Sequence, residues 1–101
     1  MEKDSTIIGL RKKLHTTLDF TSIEEVNHWD GDLCATGFQK GDRLIYISTF
    51  NYREHQPVKY YCEVEQIDSS GMKVSTLKSE EAVSFGKLVE IIRSTFDLPS
   101  F

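Results

Sequence analysis

No apolar run in this chain comes near the roughly 18 residues that cross a bilayer, so no membrane association is expected. Two cysteines are too few for a disulfide framework. Two prolines and six scattered glycines make no linker or low-complexity tract, and no internal repeat is present. Also missing are a glycine-rich phosphate loop, a GxSxG elbow, a CxxC pair and any two histidines at metal-ligand spacing. These absences exclude the common catalytic signatures, and the reading is a protein that is not an enzyme, with no cofactor and no metal. The opening stretch, MEKDSTIIGLRKK, has an apolar core of only Ile7 to Leu10 with charges on both sides, unlike a signal peptide. A cytoplasmic location is therefore expected.

Basic residues are absent from one long interval. Between Lys13 and Lys40 there is no Lys or Arg, while Asp19, Glu24, Glu25, Asp30 and Asp32 all fall there. The formal net charge is −4, which disfavours binding driven by nucleic-acid phosphates. The acidic interval is either a solvated face or a patch that meets a basic partner.

What remains is ordinary globular material, 39% hydrophobic and 28% charged in 101 residues, the size of one domain covering 1–101. Asp4 or Ser5 can cap a first helix whose stripe is Ile7, Leu10, Leu14 and Leu18, ending near Asp19. Gly9 sits inside it and weakens it by about 1 kcal/mol against Ala. SIEE at 22–25 has the form of a capping box and predicts a short helix from Ile23 to about His28. An extended conformation over 16–26 is the alternative, since Thr16, Thr17 and Thr21 favour strands.

LCATGFQ, KGDR and LIYISTFNY read as a hairpin with Gly41-Asp42 in a type II′ turn. The register follows: Lys40 faces Arg43, Phe38 faces Ile45, Thr36 faces Ile47 and Cys34 faces Thr49. A third strand, Val58 to Gln66, alternates with Val58, Tyr60, Cys62 and Val64 on the apolar side. Sheet neighbours share a face, which requires Ile47 opposite Cys62. DSSG at 68–71 is a turn, and Met72 to Leu77 a fourth, edge strand with Lys73 and Lys78. Ser79 is expected to cap the last helix, with Glu80 and Glu81 in its first turn and a stripe of Ala82, Phe85, Leu88, Val89, Ile92 and Phe96. Pro99 stops it, and Leu98 and Phe101 tuck back as a tail. The fold class is α+β: a two-layer domain with a four-stranded antiparallel meander, an N-terminal helix plus a short second helix, and a C-terminal helix, all on one face.

Cys34 and Cys62 fall on the predicted core face with a strand between them, beyond disulfide reach, and read as small buried hydrophobes. His28, Asp30 and Asp32 lack the further ligands of a calcium loop. The face away from the helices would carry Tyr46, Phe50 and Tyr61, with Tyr52 beside them, over a depression at Ala35 and Gly37. Arg43, Lys59 and Glu63 would form its rim. An aromatic centre with a polar rim is how protein interfaces are built. The candidate partner-binding residues are thus Tyr46, Phe50, Tyr61, Glu24, Glu25, Trp29, Asp30 and Asp32, with Trp29 either an anchor or a plug at the end of the core. The expected function is non-catalytic protein binding, of the kind a dedicated inhibitor or immunity-type protein uses to neutralise a basic partner. The alternatives are an accessory homodimer joined through the aromatic face, and a small-molecule binder or minor enzyme using that face as a pocket wall.

Overall fold

The structure is a computed structural model that describes residues 3–26 and 31–99. The elements run α1 (Ser5–Thr17), β1 (Glu24–Val26), β2 (Ala35–Lys40), β3 (Arg43–Ser48), β4 (Tyr60–Ile67), β5 (Lys73–Val83) and α2 (Phe85–Phe96). The five strands form one antiparallel sheet in the order β1-β2-β3-β4-β5, so each lies beside its sequence neighbour. Among the described residues no helix is long and apolar enough to cross a membrane.

The Asp4 side chain caps α1 by accepting from the Thr6 amide at 3.1 Å, satisfying one of the amides a helix start leaves open. Ile7, Leu10, Leu14 and Leu18 are all buried. On α2, Leu88, Ile91, Ile92 and Phe96 form the buried stripe, with Phe85 and Val89 half-buried. Both stripes join Phe38, Ile45, Ile47, Cys62 and Val64 of the sheet in one core cluster. The hairpin turns at Gly41 (φ 61°), and its register is the one the turn dictates, with Lys40 opposite Arg43 and Phe38 opposite Ile45. Ile47 stands opposite Cys62, as shared faces require.

Two elements differ from expectation. Where a short second helix was expected from Ile23, the chain forms β1, the fifth strand. Asp19 Oδ1 accepts from the Thr21 amide and hydroxyl at 3.0 and 2.8 Å, and this local turn leaves residues 24–26 extended. Glu24, Glu25 and Val26 then pair with Gln39, Phe38 and Gly37. A one-turn helix has little stability of its own, whereas the strand satisfies the open edge of β2.

The second difference is at the last helix. β5 runs on through Ser79, Glu80 and Glu81 to Val83, and the cap is Ser84, which accepts from the Lys87 amide at 3.2 Å. Ala82, expected on the helix stripe, is an exposed strand residue with φ 53°. Eight residues of β4 pair with eleven of β5, and the three extra residues sit at three register shifts, opposite Tyr60/Cys62, Val64/Glu65 and Gln66/Ile67. Such bulges, with Lys73 and Lys78, suit an edge strand. Beyond α2, Asp97 takes the left-handed cap conformation and Leu98 turns back into the core, 5% exposed. Phe101 lies outside the described residues.

Candidate protein-binding face

The alternation that sends Ile45 and Ile47 to the helices sends Tyr46 and Ser48 to the other side of the sheet. Their cross-strand partners there are Gly37 and Ala35 on β2, and Glu63 and Tyr61 on β4. The Tyr46 and Tyr61 rings meet at 6.1 Å between centroids, tilted by 67°, an edge-to-face geometry suited to the ring quadrupoles. Phe50 follows β3, its amide bound to Ser48 Oγ at 3.2 Å, and is 61% exposed. Together with Asp32, Asn51 and Glu81 these rings line a hollow of about 340 Å³.

The carboxylates around the hollow differ in role. Tyr61 donates its hydroxyl to Glu63 Oε2 at 3.1 Å, and Glu63 Oε1 accepts from Lys73 Nζ and Thr76 Oγ1, both at 3.0 Å. Burial works against the Glu63 charge, but these bonds outweigh it and hold the carboxyl below its ordinary range. Glu63 is therefore committed to the sheet. Burial, reinforced by the Glu63 charge, raises the Glu65 carboxyl. Tyr46 is raised by burial and by the nearby Asp32 and Glu63 charges, against a bond from Ser48. Asp32 and Glu81 are exposed at the rim, Asp32 Oδ1 accepting from the Cys34 amide at 3.0 Å. Two cations approach without lining the hollow. Lys3 donates to the Asp32 carbonyl at 2.8 Å, and the Arg53 guanidinium carbon lies 5.5 Å from the Phe50 centroid.

The residues singled out from sequence separate into three groups. Tyr46, Phe50, Tyr61 and Asp32 are brought together. Glu24 is exposed at the β1 edge of the same sheet face, next to Gln39. Glu25 points the other way, sharing the side of Phe38, and its carboxylate is held by Arg11 and, at 3.2 Å, by His15 of α1. Trp29 and Asp30 lie outside the described residues, as does His28. Of the expected rim, Arg43 sits at the far end of β3, 2.9 Å from Asp42. Ala35 and Leu44 on this face are almost fully buried, so the accessible part is smaller than strand alternation alone implies. Glu81 and Asn51 are members that sequence reasoning missed. Glu81 was assigned to a helix start, and Asn51 carried no pattern.

Both cysteines are free and buried. Burial, then the Glu80 charge, pushes the Cys62 thiol up to about 12, the reverse of an activated nucleophile. Among the described residues no three of His, Cys, Asp and Glu gather as metal ligands do. Comparison with protein-family models, curated proteins and solved structures gave no match.

Proposed function

We propose that the protein is a non-catalytic binding module that takes a basic protein partner on the sheet face away from its helices. The observation that carries this reading is the hollow itself: Tyr46, Phe50 and Tyr61 around a depression, Asp32 and Glu81 at its rim, and no cation among the described residues that line it. A guanidinium or ammonium entering there meets ring faces and carboxylates together, the two groups that favour a cation most. Arg53 over Phe50 illustrates the affinity of that ring for a guanidinium. A dedicated inhibitor of a basic protein, of the immunity type, fits the same chemistry, because carboxylates at a rim steer a cationic partner to an aromatic centre.

The test is capture of a tagged chain from a lysate of its source, at low and high salt, beside the double variant Asp32→Asn/Glu81→Gln and the single variant Tyr61→Ala. One basic protein, retained at low salt by the wild type and lost from both variants, is expected. Equal retention by all three chains overturns the reading. Recovery of the chain with only its own copies replaces it with the homodimer.

A further inference from the structure

The hollow on the sheet face away from the helices has a carboxylate at each end. Asp32 stands at the entry to β2, where its carbonyl accepts from the Ala35 amide at 3.3 Å. Glu81 belongs to β5. The strands β3 and β4 lie between β2 and β5. Three strand spacings put the two backbones roughly 14 Å apart. One row of residues joins them: Ala35 opposite Ser48, Ser48 opposite Tyr61, and Glu81 in the register shift beside Tyr61.

Each carboxylate acts on a different tyrosine. Burial raises the Tyr46 phenol, and the Asp32 charge adds to the rise. Tyr61 is raised by burial and by its bond to Glu63, with Glu81 among the charges that add to it. Asp32 Oδ1 takes the Cys34 amide, and neither Asp32 nor Glu81 enters an ion pair among the described residues. The Tyr46 and Tyr61 rings lie between the two ends, 6.1 Å apart. At physiological ionic strength charges are screened over about 8 Å. A single cation at one end therefore gains little from the carboxylate at the other.

We infer that the partner fills the hollow with two basic side chains about 14 Å apart, one at Asp32 beside Tyr46 and one at Glu81 beside Tyr61. The stem between them crosses the two rings. An extended segment offers that spacing at residues four apart, whose side chains share a side. This inference rests on the reading of the face as the site for a basic protein.

The probe is octane-1,8-diguanidine, titrated against the labelled full chain with amide chemical shifts as readout. Butane-1,4-diguanidine has the same charge but is too short to join the two ends. The third compound, 8-hydroxyoctylguanidine, has the length but only one cation. The long diguanidine is expected to shift the amides of Ser48, Tyr61 and Glu81 saturably, and to bind at least about fivefold more tightly than either control. Asp32→Asn and Glu81→Gln, both at exposed positions, should each bring it down to the affinity of the single-cation compound. That compound keeps one end in either variant and should lose little. Equal affinity of the two diguanidines, or a variant that leaves the long one unaffected, overturns the two-ended site. Saturable binding of the single-cation compound would then still uphold the face as a cation site. No saturable shift from any of the three at about 10 mM overturns both readings.

Discussion

Arg11 of α1 donates to the Glu25 carboxylate of β1, fastening the first helix to the edge of the sheet. Glu25 is half-buried and also receives His15 at 3.2 Å. Burial disfavours its charge, but the bonds from Arg11 and His15 prevail and hold the carboxyl below its ordinary value. A depressed folded pKa gives stability that is present above the unfolded pKa and lost as pH falls through the folded one. Because both side chains are about one-third exposed, the pair contributes at most about 1 kcal/mol. Glu25→Gln should therefore be less stable than wild type by up to about that amount at pH 7, with the gap closing below about pH 4. Urea unfolding at the two pH values measures it, and a gap of equal size at acid pH would mean that packing rather than charge holds the contact.

The start of the last helix can be located by capping. Ser84 accepts from the Lys87 amide, whereas Ser79 is an exposed residue of β5 opposite Glu63. Ser84→Ala should cost about 1 kcal/mol, and Ser79→Ala should stay within about 0.5 kcal/mol. The reverse order in denaturant unfolding would return the helix start to Ser79.

These two serines show where the sequence is readable and where it is not. Register from Lys40–Arg43 to Ile47–Cys62 follows from one glycine turn and strict alternation, because a two-residue loop leaves no freedom and the core face must be apolar throughout. β5 defeats the same logic. Each of its three bulges inserts a residue and reverses the side that later residues face, so Lys73 and Thr76 reach Glu63 although alternation separates them. Ser79-Glu80-Glu81 carries helix-start chemistry, but its partners on β4 lie more than a dozen residues away in sequence, and local propensity cannot register them. β1 is the same case in miniature: three residues become a strand because β2 offers an edge. The aromatic hollow was legible as Tyr46, Phe50 and Tyr61 because they lie on readable strands or beside them. Glu81 was hidden because it lies within a register shift, between Glu80 opposite Cys62 and Val83 opposite Tyr60.

Cys62 offers a test at alkaline pH. Its thiol is pushed up to about 12, chiefly by burial, while in the unfolded chain it ionises near its ordinary value of about 8.5. A raised folded pKa contributes stability that is full below the unfolded pKa and is lost as pH rises towards the folded one. From about pH 9 to 10 this group alone should remove stability at up to about 1.4 kcal/mol per pH unit. Tyr46, Tyr60 and Tyr61, also raised by burial, add to the loss only above their ordinary range. Cys62→Ala should lower stability at pH 7 but flatten the slope between pH 8.5 and 10. An unchanged slope would place the thiol in contact with water.

Leu98 distinguishes a docked tail from a loose one. The left-handed Asp97 ends α2, and the Leu98 amide closes on the Arg93 carbonyl at 3.1 Å. The Pro99 carbonyl then accepts from the Asp19 amide at 3.0 Å, pinning the tail to the segment after α1. Between these two bonds the Leu98 side chain enters the core cluster, 5% exposed. Leu98→Ala removes buried methyl groups and leaves a cavity, a change that costs about 2–5 kcal/mol in packed interiors. A site at the end of the chain relaxes more easily than one held on both sides, so about 2–3 kcal/mol is expected. Leu77→Ala, at a residue 48% exposed on β5, is the control and should change little. Equal small effects at both positions, by thermal or denaturant unfolding, would mean that the tail does not contribute to the core.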